Sequence, residues 1–300
     1  MKLTNTLDEE YQSVQETVQE NLKYKINSGV EFLFSLWERE QKKLVRSSSV
    51  NQTFFQTMDE HPYLYFEGNL KKDPIKNITP RDITQFSVLS NILQEQTYFE
   101  IFGSFLSAVI NAHHKSTKTT EEYLLHTSSI DTLLDCIGTY NRAHIRVKGN
   151  VGENSGLYMK NGKLTIEGDS SFFLGKHMQG GIIEIFGNTN SAAGEQMYNG
   201  TIIIHENAHF ESGTNMFGGK LLIMKDAMDV GIAQQGGIIK VDGKVRGEVG
   251  RNMQGGKLYL SEPPINYLGE DYSGGKIYVN NKLVMSRWIK YKNKIKELFK

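Results

Sequence analysis

The sequence predicts an α+β chain: an α-helical domain over residues 1–137, followed by a single-stack parallel β-helix over residues 138–284. Two observations predict the β-helix. Most of the 29 glycines lie beyond residue 148 and recur at a fixed interval, and each is followed by a short segment that alternates apolar and outward positions. One observation predicts the helices: before residue 137 the apolar residues fall at three- and four-residue spacing, the period of a helix with one buried face.

In the first half, Val14, Val18 and Leu22, then Val30, Phe34 and Trp37, mark a helical stretch from Leu7 to Val45. Asn27-Ser28-Gly29 breaks it in two. Residues 62–66, Pro-Tyr-Leu-Tyr-Phe, read as a short strand or packed loop. Thr79-Pro80 is a helix start, with Thr79 as N-cap and proline at the first helical position, where its missing N–H costs nothing. Phe86, Leu89 and Leu93 continue that helix. Phe99, Phe102, Leu106, Val109 and Ile110 form the next. Residues 115–120 read as a polar loop, and 130–137 as a short helix.

The second half obeys a repeat. Gly162, Gly181, Gly200, Gly219, Gly237, Gly256 and Gly275 are spaced by 19 residues, with a single step of 18. A second glycine precedes each by six residues. Between the two stands Met159, Met178, Met197, Met216, Gln234, Met253 or Tyr272. The second and fourth residues after each aligned glycine are apolar in every copy, as in Ile183/Ile185 and Ile202/Ile204, which is the period of a strand with one face buried. One such unit cannot bury its own face, whereas stacked copies can. Ile145 and Val147 read as a degenerate first rung. The methionines are expected to fill the interior beneath a corner. Stack ends expose unpaired strand edges. Residues before 145 are expected to cover one end, and a basic amphipathic helix over residues 285–300, with Trp288, Ile289, Ile295, Leu298 and Phe299 as its apolar side, the other.

The repeated glycine-x-x-methionine-x-x-glycine pattern resembles the glycine-rich repeat domain at the C-terminus of the glutamate synthase large subunit. It also resembles the repeat-bearing subunit of formylmethanofuran dehydrogenase. Residues 250–259 (GRNMQGGKLY) and 175–183 (GKHMQGGII) carry the likeness most clearly. The resemblance covers about residues 138–284. It implies a right-handed β-helix with a structural role, one that spaces or supports catalytic modules carried elsewhere. No catalytic residue transfers, because the first half carries no recognisable amidotransferase, synthase or flavin motif.

Other chemistry finds little footing. Lys+Arg and Asp+Glu are both 34, so overall charge does not favour nucleic acid. A single cysteine, Cys136, forms no intrachain disulfide and holds no cluster by itself; beside an apolar run it reads as buried and inert. No signal peptide or spanning helix is read, so the expected location is cytoplasmic. His113-His114 diverge on a helix. His205 and His209 with Glu206 would need to converge to hold zinc. Asp226 and Asp229 flank the shortened repeat, where corner turns commonly use aspartate. The glycines do not lead a strand into a helix through Gly-Lys-Ser/Thr, so a phosphate-binding loop is rejected. The C-terminal lysines read as a solvated face rather than a membrane contact. No cofactor and no metal is expected.

The middle, outward residue of each strand is more informative. It reads Thr165, Glu184, Ile203, Leu222, Lys240, Tyr259, Tyr278. A free solvated column would be polar throughout, so Ile203, Leu222, Tyr259 and Tyr278 form the candidate interaction face, covered by the N-terminal helices or by a partner chain. The sequence reading is a non-catalytic assembly protein that self-associates, or that supports a redox or amidotransferase complex. The alternative is an enzyme or ligand-binding protein with its site in the groove between helices and β-helix. Against polysaccharide chemistry, the outer strand ladder offers only Glu184 and Lys240.

Overall fold

The computed structural model describes residues 27–48, 62–70, 73–93, 101–127 and 133–286. Among these residues four α-helices precede the strands: α1 (Ser28–Ser48), α2 (Pro62–Leu70), α3 (Pro80–Leu93) and α4 (Phe102–Thr117). The β part is a solenoid of about eight turns. Its main sheet has ten strands, running Tyr123–His126, His144–Lys148, Lys163–Ile166, Ile182–Ile185, Thr201–Ile204, Lys220–Ile223, Ile238–Val241, Lys257–Leu260, Lys276–Val279 and Lys282–Ser286. All neighbours are parallel except the last pair. A narrower three-stranded sheet, Ser170–Phe172, Thr189–Ser191 and Ala208–Phe210, forms a second wall, and Glu248–Val249 pairs with Tyr267–Leu268 farther along.

Register is strict. Ile183 pairs with Ile202, Ile202 with Leu221, and Leu221 with Ile239, so like side chains stack into continuous buried columns. The methionine column is fully buried, together with Gln234 and Tyr272 in the same position. The aligned glycines have a backbone reason. Gly200 sits at φ +99°, and a Cβ built there would lie 2.9 Å from the Gly181 carbonyl oxygen of the rung below, as well as 2.7 Å from the Met178 methyl. The positive φ and the close backbone favour glycine, and the methionine beneath crowds the position further.

Non-glycine residues share the corners. Tyr158, His177, Gln196 and Asn215 all have φ between 52° and 54°. The left-handed region costs an L-residue about 1–2 kcal/mol. The amide of each is satisfied by the adjacent rung: Tyr158 N–H donates to the Lys176 carbonyl at 3.0 Å, and His177 N–H to Glu195 at 3.0 Å. A further ladder follows four successive main strands. Asn150, Asp169, Asn188 and Asn207 each accept, through the side-chain oxygen, the backbone N–H of the residue 19 positions later.

Several local expectations are corrected. Residues 62–66 are helical, with Pro62 opening α2; α4 runs through Thr117 and ends on Lys118 in the left-handed region. Residues 135–140 are a corner, not a helix, with Cys136 at φ 61° and Gly138 at φ 73° in the places of Asn154 and Gly156. The stack therefore starts before residue 138: Tyr123–His126 is its first strand, paired with His144–Lys148. At the far end Asn280 and Asn281, both left-handed, turn the chain into an antiparallel strand that ends on Ser286. The expected capping helix otherwise falls outside the described residues, as do Val14, Val18, Leu22 and Phe99.

The helices close the near end of the stack. Trp37 meets Phe102 and Phe105 at ring-centroid distances of 5.1 and 4.9 Å, and Phe66 packs edge-on against Phe105 at 5.4 Å. Thr79 and Asp82 form a reciprocal cap at the start of α3: the Asp82 N–H donates to the Thr79 hydroxyl, and the Thr79 N–H to the Asp82 carboxylate. Helix α3 packs on the first strand, so the apolar end of the solenoid and the apolar side of the bundle form a single core.

Gln234 is the exception in the methionine column. Its Nε2 donates to the Gly236 carbonyl at 2.8 Å, while its Oε1 is buried without a hydrogen-bond partner among the described residues. An unmet buried acceptor costs about 1–3 kcal/mol. Gln234→Met should therefore raise the thermal midpoint, by about 2 °C per kcal/mol recovered in a chain of this size. A lower midpoint would show that the Gly236 contact outweighs the orphaned oxygen.

Candidate interaction face

The candidate residues of the outward column fall together. Ile203 pairs with Leu222, Leu222 with Lys240, Lys240 with Tyr259, and Tyr259 with Tyr278, all on one outer face of the main sheet. The two tyrosine rings stack at 4.7 Å. All four apolar members are half-buried. The expectation that the N-terminal helices cover them is not met among the described residues: the helices meet the stack at its first strand and first corner, while Ile203 lies four strands farther along.

The structure enlarges the patch with residues that the sequence reading passed over. Ile182, Phe186 and Met224 flank the central column and are 41%, 46% and 37% exposed. Each stands two places from a column residue, on the same strand or at its end, where period 2 turns it outward too. Charged residues border the patch. Glu184 is held by Lys163 at 2.6 Å and by His205 Nε2 at 3.1 Å, and His205 stacks on Phe186 at 4.5 Å. The Lys163 ammonium and then His205 hold the Glu184 carboxyl below its ordinary range. Lys240 bonds Asp242 at 2.7 Å.

The other singled-out residues resolve into structural roles. His205 follows the main-sheet strand Thr201–Ile204, whereas His209 lies on the second-sheet strand Ala208–Phe210, and the two belong to no metal-holding cluster among the described residues. Asp226 accepts the Lys244 N–H at 2.9 Å and Asp229 the Glu248 N–H at 2.7 Å; both tie one turn of the solenoid to the next. Cys136 is half-buried at the first corner, and burial pushes its thiol up. His113 is buried, its Nδ1 2.7 Å from the Tyr123 hydroxyl and its Nε2 2.8 Å from the Ile78 carbonyl. A carbonyl only accepts, so Nε2 carries the proton and Nδ1 accepts from Tyr123. His113 thus joins α4 to the first strand.

A second feature lies at the junction of helices and solenoid. A cavity of about 800 Å³ is bounded by α2, the end of α4, and Tyr140, Arg142 and Lys160 of the first corners. This is the groove that the alternative reading requires. An aromatic file leads away from it: Tyr63, Tyr140, Tyr158 and His177 follow one another at 5.0, 5.1 and 4.9 Å. No protein-family model matches the chain, and no curated protein matches it.

Burial holds the His113 imidazole below its ordinary value of 6.5, and His177 is lowered the same way, first by burial and then by Lys176. Both groups bind a proton more readily unfolded than folded. Their contribution to stability is therefore complete above about 6.5 and is lost as pH falls from there toward the folded-state values. The thermal midpoint should decline through that window, and His113→Gln should remove part of the slope. An unchanged slope in that variant would show that His113 does not contribute.

Proposed function

We propose that this protein is a non-catalytic assembly element whose solenoid pairs with a second copy of itself through the outer face of the main sheet. The observation that carries the reading is the order of the outward column. A twofold axis lying in the plane of that face, parallel to the strands and between Ile203 and Leu222, sets Ile203 of one copy opposite Leu222 of the other. The same operation sets Glu184 opposite Lys240, and Ile182 opposite Ile238. An isologous contact must be self-complementary in this way. An apolar centre with opposite charges at its border is the anatomy of a specific interface, and sheets commonly pack face to face. The resemblance of the repeats to the structural domains of glutamate synthase and formylmethanofuran dehydrogenase supports a role in assembly.

Light scattering on the purified chain should report a dimer. The Ile203→Lys/Leu222→Lys double variant should be monomeric with an unchanged circular dichroism spectrum. Charge exchange tests the register. Glu184→Lys and Lys240→Glu should each weaken the dimer, and the two together in one chain should restore it. A monomeric native protein would overturn the reading, and failure of the combined variant to recover would overturn this register.

A further inference from the structure

The groove between helices and solenoid carries an unbalanced charge. Five cationic side chains line it: Lys76, Lys115, Lys118, Arg142 and Lys160. None has a carboxylate within 4.0 Å among the described residues, although ion pairs are frequent elsewhere on the chain. Of the two acids on the same walls, Asp73 is already taken by a two-pronged contact with Arg39 at 2.7 and 2.8 Å. Glu67 is the other acid on these walls among the described residues.

The walls are built rather than incidental. Asn111 on α4 donates to the Tyr63 hydroxyl at 3.1 Å and to the Thr139 carbonyl at 3.0 Å, and accepts the Arg142 N–H at 3.3 Å. One amide thus fixes α2, α4 and the corner that bears Arg142. Lys160 is held over the Tyr140 ring at 5.3 Å and donates to Gln179. Burial, and then the charge of Arg142, lower the Lys160 ammonium from its ordinary range. His114 Nδ1, on the same wall, is buried with no hydrogen-bond partner among the described residues.

We infer that this groove binds a small polyanion, a phosphorylated or polycarboxylated metabolite, with Arg142 and Lys160 as its principal anchors. The volume lies within the range of about 300–1,000 Å³ usual for small-molecule sites. Charged groups held with few partners gain most from an anion, because charge-assisted hydrogen bonds are about twice as strong as neutral ones.

Titration calorimetry on the full chain at low ionic strength, with pyrophosphate and with citrate as separate probes, tests this. At least one should bind at one site per chain, and which one binds separates phosphoryl from carboxylate ligands. Arg142→Met/Lys160→Met should weaken that binding about tenfold or more. Glu67→Gln should tighten it, a gain that misfolding does not produce. Lys257→Met, on the main sheet, should leave it unchanged. Failure of both probes to bind the native chain would overturn the inference. So would equal affinity in the double variant, or no gain with Glu67→Gln.

Discussion

Everything in this protein depends on one turn of the solenoid lying in register on the next. Each strand, each corner and each side-chain ladder is satisfied only by its neighbour: the strand amides by the adjacent strand, the left-handed corner amides by the next corner, and the Asn/Asp side chains by a backbone N–H 19 residues on. A slip by one residue would turn the buried columns outward and strand every corner donor together. The cost of the left-handed corners is tolerable only because the stacking that they permit is repeated along the rod.

Such an arrangement is open at both ends, and the two ends differ among the described residues. At the start, α3 lies on the first strand, and the aromatic cluster around Trp37 and Phe105 continues the apolar column without a break. His113 fixes this seam with one hydrogen bond to each side. At the finish, the Asn280-Asn281 turn reverses the chain and lays an antiparallel strand on the last parallel one. The helical domain is therefore an end-piece of the rod, and this leaves the long outer face of the main sheet free of helices among the described residues.

Two surfaces follow from that placement, and they suit different partners. The flat sheet face is broad, apolar at its centre and charged at its border, which fits another extended surface. The junction groove is concave, small and cationic, which fits a compact anion. The first belongs to the repeat, since any rung can contribute to it. The second exists only where the repeat meets something that is not repeated.

The same distinction divides what could be read from the order of residues from what required the folded chain. The periodic half was legible because every rung places the same residue type in the same environment, so seven copies state one rule seven times. The strands, the buried columns and the shared face of Ile203, Leu222, Tyr259 and Tyr278 all follow from it. The Asn150–Asn207 ladder was written at the same 19-residue interval and could have been read there. Elsewhere the signals occur once. The Tyr123 strand has no aligned glycine pair before it. The corner at Cys136 lacks the methionine that marks most of the others, so its apolar run imitates a helix. Tyr63 to Phe66 are strand-formers by preference, yet packing against α4 makes them helical. The groove is assembled from α2, α4 and two corners that are distant in sequence. Its charge imbalance depends on which carboxylates have already found partners, and only folding brings those partners together.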